Sequence, residues 1–256
     1  METKQYMHKL GICVVIPTYN NSKTINEVID NCLKWATSII VVNDGSTDDT
    51  DKLLSRYAAN EVSIVSYMPN RGKGYALKAG FAFAKAQGFS YAITIDADGQ
   101  HFASDIPVFV ETILANPGAM VVGSRNIAAE NMPASNTFAN KFSNFWFQVQ
   151  TLQFLPDTQS GYRLYPLRRM GSLWWMTSRY EAELEMLVFA AWHGIKLIPI
   201  PISVYYPPAN ERVSHFRPKI DFLRISIVNT VLCVLAIVYG GPRMLISRLV
   251  NKMNNK

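Results

Sequence analysis

Tyr91-Ala92-Ile93-Thr94-Ile95-Asp96-Ala97-Asp98-Gly99-Gln100-His101 is a short apolar run that ends in two carboxylates two residues apart. Its first five residues read as a buried strand, and the Gly-containing turn after it is polar. The same unit recurs on either side. Ile12–Ile16 leads into Pro17-Thr18-Tyr19-Asn20, and Ile39–Val42 leads into Asn43-Asp44-Gly45-Ser46-Thr47-Asp48. Val62–Ser66 and Ala119–Val122 are further runs of this kind. Between them, Ile25–Trp35, Asp48–Ala59, Tyr75–Gln87 and Ser104–Ala115 carry apolar residues at three- and four-residue spacing, which predicts helices. Strand and helix in alternation predict an α/β fold with a doubly wound, mainly parallel sheet. Ligands bind such sheets at the carboxyl ends of the strands, where this chain places its polar loops.

After Arg125 the alternation stops. Asn126 to Pro156 reads as a polar loop followed by a helix rich in aromatic residues (Phe138, Phe142, Phe145, Trp146, Phe147), more suited to packing than to base stacking. A helix from Arg179 to His193 and a strand from Lys196 to Tyr205 then close the domain. The chain divides into an α/β domain, residues 1–218, and a helical tail, residues 219–256.

Of the 256 residues 49% are hydrophobic and 17% charged, which excludes a disordered or collagen-like chain. Cys13, Cys32 and Cys233 lie far apart and form no Cys-x-x-Cys pair, so neither a zinc ribbon nor a disulfide framework is expected, and a reducing compartment fits. The apolar run after the N-terminus is too short for a signal peptide. Residues 200–256 hold eight basic and two acidic residues, which accounts for the whole net charge of +6. The same tail holds the uncharged run Ile225–Pro242, which favours anionic lipid over nucleic acid as the partner.

Two carboxylates at a strand end outline a site for a hard cation, Mg²⁺ or Mn²⁺, with positions left for substrate phosphates. An Asp-rich turn that caps the following helix is the alternative from a bare Asp-x-Asp. Asp48, Asp49 and Asp51 read as helix caps. His101 and His193 have no partner at metal-ligand spacing and read as non-catalytic. Glu181, Glu183 and Glu185 alternate along a helix start, where Glu181 and Glu185 share a face and Glu183 points elsewhere.

Taken together, these motifs resemble the family 2 glycosyltransferases and their GT-A fold. Asp-Ala-Asp-Gly-Gln-His is preceded by Asn70-Arg71-Gly72-Lys73-Gly74 and followed by Gly123-Ser124-Arg125 and Asp157-Thr158-Gln159-Ser160-Gly161-Tyr162-Arg163. This set is similar to the dolichyl- or polyprenyl-phosphate mannose synthase branch. The resemblance implies that Pro17, Thr18, Tyr19, Asn21, Asp44 and Lys73 face a nucleotide-sugar donor, with Asn21 departing from the family's Glu. It implies that Asp96 and Asp98, with Gln100, hold the metal. It places Arg125, Ser160 and Arg163 toward the acceptor, with Arg212 and His215 in a basic loop that closes over phosphates. The family has an acidic residue near Glu183 and Glu185, a general base if the acceptor is a hydroxyl and unnecessary if it is an ionised phosphate.

The expected function is a metal-dependent, inverting glycosyltransferase that moves a sugar from a UDP- or GDP-sugar to a lipid acceptor, polyprenyl phosphate first among them. Transfer to a lipid or glycan hydroxyl and a non-enzymatic nucleotide-binding scaffold are the alternatives. A sugar nucleotidyltransferase would carry a Gly-rich loop after the first strand, where this chain has Pro17-Thr18-Tyr19-Asn20. The tail is expected to lie in the cytoplasmic face of a membrane, its helix stopped near Tyr239 by Gly240-Gly241-Pro242 and resumed as an amphipathic segment from Met244 to Val250. At 15 residues, about 22 Å long, such a helix falls short of a bilayer core of about 30 Å. Sugar, nucleotide and oligomeric state stay open.

Overall fold

The computed structural model describes residues 2–57, 61–125, 134–170, 177–206 and 218–246. The elements run α1 (Glu2–Leu10), β1 (Ile12–Thr18), α2 (Ile25–Leu33), β2 (Ile39–Asp44), α3 (Thr50–Leu54), β3 (Val62–Tyr67), α4 (Lys73–Ala86), β4 (Tyr91–Thr94), α5 (Ile106–Ala115) and β5 (Met120–Arg125). They continue as α6 (Ala134–Thr151), β6 (Arg163–Pro166), α7 (Leu167–Met170), α8 (Glu181–Trp192), β7 (Leu197–Ile202) and α9 (Pro218–Leu235).

Seven strands form one sheet in the order β3-β2-β1-β4-β6-β5-β7. β1 to β4 are mutually parallel and β5 runs parallel to β7. β6 is antiparallel to both of its neighbours, β4 and β5. The expected mainly parallel sheet is therefore present. β6 is not legible as a strand in the sequence, because a cation and a proline, Arg163 and Pro166, bracket its two apolar residues.

Alternation along the strands feeds two cores. Ile12, Val14 and Ile16 pack with Ile29 and Phe109 on one face, while Cys13, Val15, Ile40 and Val42 pack with Leu77, Phe81 and Trp192 on the other. With both faces covered, every residue of β1 is buried. The helix expected over Asp48–Ala59 is the short α3, and residues 58 and 59 lie outside the described part.

Gly240-Gly241-Pro242 does not end the tail helix. The chain stays helical from Pro218 to Ile246, passing through a π-turn at Ala236–Gly240 in which the Gly241 N–H donates to the Ala236 carbonyl. Such a turn accommodates Pro242, whose ring and missing N–H disrupt regular α-helical bonding. Leu223–Ile246, with a mean hydropathy of 1.9 over an 18-residue stretch, makes 24 residues. That is about 36 Å of helix, so the expected shortness of the tail is corrected. Of the segment expected from Met244 to Val250, residues 247–250 lie outside the described part.

Candidate active site

The polar loops at the carboxyl ends of β1, β2 and β4 are stitched to one another. Asn20, at φ +54°, accepts the Thr47 N–H on Oδ1 at 2.8 Å, and its own N–H donates to Ser46 Oγ at 3.0 Å. Thr24 Oγ1 donates to the Ala97 carbonyl at 2.6 Å, which ties the first loop to the Asp-x-Asp turn. Of the three aspartates expected as caps, Asp48 accepts the Thr50 N–H at 3.0 Å, Asp49 stands in the N-cap position of α3 without a side-chain capping bond, and Asp51 accepts from Asn43 Nδ2 at 3.0 Å.

Several residues expected at the donor are occupied locally. Pro17 and Thr18 are buried in the last residues of β1, opposite Val42 and Asn43. Tyr19 stands half-buried just beyond them, and Asn21 turns its amide back to Thr18 Oγ1 and the Tyr19 carbonyl. The buried Asp44 carboxylate accepts from Asn70 Nδ2 and from the N–H groups of Arg71 and Gly72, each at 2.8 Å. Its observed role is to clamp the Asn70–Gly72 loop onto the end of β2, and most of a carboxylate's acceptor capacity is used in doing so.

Asp96 and Asp98 have different surroundings. Lys73 Nζ lies 2.7 Å from Asp96 Oδ1, 3.0 Å from Asp96 Oδ2 and 3.0 Å from Glu183 Oε2. Burial pushes the Asp96 carboxyl up, but the ammonium outweighs it and holds the group below its usual range. Asp98 accepts the Gln100 N–H at 3.0 Å, and burial together with the Asp96 charge raises its carboxyl to about 6. Two neighbouring carboxylates, one still short of a counter-charge, fit a divalent cation that keeps positions for phosphate oxygens. Among the described residues no cluster of three His, Cys, Asp or Glu side chains surrounds a metal position. Beside this turn burial lowers the His101 imidazole to about 4, and its ring lies 5.2 Å from that of Tyr162.

The Asp157–Arg163 segment is organised by Asp157, whose part no sequence pattern marks. Its buried carboxylate accepts from Arg125 Nε at 2.6 Å, Arg125 Nη2 at 3.0 Å, Asn140 Nδ2 at 2.6 Å and the Gln159 and Ser160 N–H groups. Burial raises this carboxyl, but the Arg125 hydrogen bonds and charge outweigh burial and hold it below the usual range. Arg125 turns its Nε and Nη2 to Asp157, whereas buried Ser160 accepts the Tyr162 N–H on Oγ at 3.3 Å.

Arg163 does not face an acceptor. It is fully buried and donates to the carbonyls of Ser160 at 2.6 Å, Glu183 at 2.7 Å and Thr158 at 2.8 Å. A position in β6, between β4 and β5, turns the side chain into the protein and makes it a structural pin for α8.

All twelve residues of α8 are buried, so its three glutamates are not a solvated helix start. Glu181 accepts from Arg224 of α9, with Oε1 3.1 Å from Nε. Glu185 accepts from Thr177 Oγ1 at 2.6 Å. Glu183, on a different face, reaches Lys73. Arg212 and His215 lie outside the described residues.

Residues 13–169 match the family described as Glycosyl transferase family 2. The chain is 33% identical over 208 residues to an uncharacterized protein of Methanocaldococcus jannaschii, covering 78% of this chain and 84% of the other. It is 29% identical to a UDP-N-acetylglucosamine–dolichyl-phosphate N-acetylglucosaminyltransferase of Methanococcus voltae, covering 76% and 86%. With a dolichyl-phosphate beta-glucosyltransferase of Dictyostelium discoideum it shares 28% identity, covering 79% and 69%. Glucosyl-3-phosphoglycerate synthase from Mycobacterium tuberculosis, crystallised with Mn²⁺, UDP-glucose and phosphoglyceric acid, superposes with a TM-score of 0.61 at 21% identity over 82% of this chain and 77% of that one. The UDP complex of that synthase gives a TM-score of 0.64 at 20% identity, over 92% and 83%. At this identity the structural likeness is one of fold. With the family matched across more than half the chain and the GT-A architecture in place, this chain belongs to glycosyl transferase family 2 and is a glycosyltransferase.

Proposed function

We propose that the protein transfers a sugar, with inversion, from a UDP- or GDP-sugar to a polyprenyl phosphate of the dolichyl type at the cytoplasmic face of a membrane. The observation that carries this reading is that the Asp96–Asp98 turn with Lys73 and the Asp157-held Arg125 stand at the carboxyl edge of the sheet, with Arg125 in electrostatic reach of Asp96. Relatives named as dolichyl-phosphate glycosyltransferases support the acceptor class, and a GT-A neighbour crystallised with Mn²⁺ and UDP-glucose supports the donor class.

Asp98, with Asp96 and Gln100 beside it, would hold Mg²⁺ or Mn²⁺, which when bound offsets the charge on the departing diphosphate. Arg125 presents its remaining N–H groups to the acceptor phosphate, its plane fixed by two bonds to Asp157. A phosphate monoester acceptor is ionised at neutral pH, so transfer to it needs no general base. The hydroxyl acceptor is the weaker reading here, because Glu185 is engaged by Thr177 and Glu183 by Lys73.

The tail supports a surface location. Leu223, Ile227, Val231, Val234, Ile237 and Val238 are exposed, while Leu232 is buried and Asn229 faces Gln150 of α6. The polar Asn229 therefore points into the protein and apolar residues point outward, the reverse of a helix on a water-facing surface. Contacts with the domain run along the helix from Arg224 to Gly240. A helix held lengthwise in this way lies in the plane of the leaflet rather than across it.

The test is a screen of radiolabelled UDP- and GDP-sugars with polyprenyl phosphate and membrane lipid extract. An organic-soluble product labile to mild acid is expected. Label found only on a water-soluble glycan or on a lipid hydroxyl would overturn the acceptor assignment.

A further inference from the structure

The two ends of the tail helix carry their charge differently. Near its start the Arg224 guanidinium is paired with the buried Glu181 carboxylate, Nη2 to Oε1 at 3.1 Å. Near its end the Arg243 guanidinium lies over the ring of Tyr239, 5.8 Å from the centroid, and no described carboxylate pairs with it. A ring face attracts a cation but leaves the guanidinium N–H groups unbonded. Tyr239 is itself held in place. Its hydroxyl meets His193 Nε2 at 3.2 Å, His193 Nδ1 meets the Phe189 carbonyl at 2.8 Å, and the next residue, Gly240, is seated on the Trp192 indole.

Other cations gather at this corner. Arg169 of α7 donates to the carbonyl of Gly194, next to His193, at 3.2 Å and to that of Gly118 at 3.0 Å. Lys196, just beyond Gly194 in the chain, donates to Asn116 Oδ1 at 2.8 Å. Arg169, Lys196 and Arg243 are all exposed, and among the described residues none of the three forms an ion pair. Burial chiefly lowers the His193 imidazole, against the Phe189 bond, and the Arg243 charge lowers it further, which places the guanidinium within electrostatic reach of a neutral ring. Like charges collected without a counter-charge repel one another, and an anion from outside relieves that repulsion.

The flanking side chains say where the anion comes from. Ile237, Val238, Leu245 and Ile246, on the same stretch of helix as Arg243, are all largely exposed. A soluble anion gives these aliphatic groups nothing to bury against, whereas a membrane surface supplies phosphate and hydrocarbon at adjoining depths. Arginine suits that boundary, because its stem lies along apolar groups while the guanidinium reaches phosphate oxygens.

We propose that Arg243, with Arg169 and Lys196 beside it, binds the phosphate of an anionic phospholipid headgroup while Ile237, Val238, Leu245 and Ile246 enter the hydrocarbon, so that this end of the tail selects negatively charged bilayers. This rests on the surface placement of the tail proposed above and deepens it by naming the lipid class. Tyr239 is a positioning residue for the contact, since its ring carries the guanidinium and its hydroxyl is tied to His193.

The experiment dilutes the full-length protein from detergent onto vesicles of phosphatidylcholine alone, or of phosphatidylcholine mixed with phosphatidylglycerol, and measures flotation on a density gradient. The wild type should partition more strongly onto the mixed vesicles, with an advantage that shrinks as salt is added. Arg243→Gln should lower that advantage about fivefold, and Arg243→Gln with Lys196→Gln about twenty-five-fold, while binding to phosphatidylcholine alone is unchanged. Arg243→Lys should keep most of it, since the charge is retained. Sugar transfer in detergent micelles should be the same in all variants, which shows that they fold. Equal binding of the wild type to both vesicles, or an advantage that survives in the double variant, would overturn the proposal. Displacement from the mixed vesicles by inorganic phosphate at constant ionic strength would do so too, by assigning the corner to a soluble anion. Failure of the wild type to float with either vesicle would instead overturn the surface reading of the tail beneath it.

Discussion

Gly240 lies against the face of Trp192, so close that a Cβ would come within 2.3 Å of indole Cε2. The tail helix is seated on α8 by this contact, and the Trp192 indole N–H is already committed to the Gln150 carbonyl of α6 at 2.8 Å. With the indole pinned, there is nowhere for a methyl group to go. Gly240→Ala should therefore cost about 1–3 kcal/mol, as overpacking does. A melting temperature lowered by several degrees, with transfer retained below it, is the expected result, and an unchanged melting curve would show that the helix does not seat there.

Asp98 combines a functional carboxylate with a stability cost. Its folded pKa, about 6, stands above the ordinary value of 3.8, so the proton is bound more tightly in the folded state, and burying the ionised form weakens the fold as pH rises through that window. Asp98→Asn should leave the metal-free protein as stable as the wild type at pH 7.5 or more so. It should also lower transfer at least a hundredfold, and excess chelator should do the same to the wild type. Thermal melts in EDTA and radiolabelled transfer assays check the two halves separately.

Asp157 has the opposite sign. Its folded pKa is depressed, so its contribution is full above the ordinary carboxyl value near 3.8 and is lost as pH falls through the folded value. Asp157→Asn leaves Arg125 without its ion pair in a largely buried place and should cost about 3–5 kcal/mol at neutral pH. Melting curves of wild type and variant taken from pH 7 down to pH 2.5 should converge at the acid end.

Arg125 and Arg163 should separate cleanly. Replacing Arg125 with Lys keeps a cation beside the buried Asp157 carboxylate and removes the guanidinium fork, so KM for the lipid phosphate should rise about tenfold while nucleotide affinity holds. Arg163→Ala strands three buried carbonyls, each at about 1–3 kcal/mol, and should appear as loss of folded protein. Soluble yield and limited proteolysis distinguish this from a folded enzyme with weakened lipid use.

Local periodicity is written directly in the chain. Ile12–Ile16, Ile39–Val42 and Tyr91–Ile95 announced strands because runs buried on both faces must be apolar throughout, and the polar residues behind them had to gather at one edge of the sheet. Those loops, and the Asp96–Asp98 pair with them, were legible for that reason. Tertiary structure decided which polar side chains are free. Asp44 and Arg163 stand in motifs that look addressed to a ligand, yet Asp44 is engaged by the Asn70–Gly72 loop and Arg163 by buried carbonyls, because β6 carries it inside the sheet. Glu183 differs from Glu181 and Glu185 only in the direction it points on α8, and its partner Lys73 lies 110 positions away in sequence. Gly240 and Pro242 read locally as a helix stop, and only the Trp192 face and the π-turn beneath them made the same residues a seat for the tail. Hydrogen-bond satisfaction and close contact are properties of neighbours in space, and no local pattern along the chain encodes them.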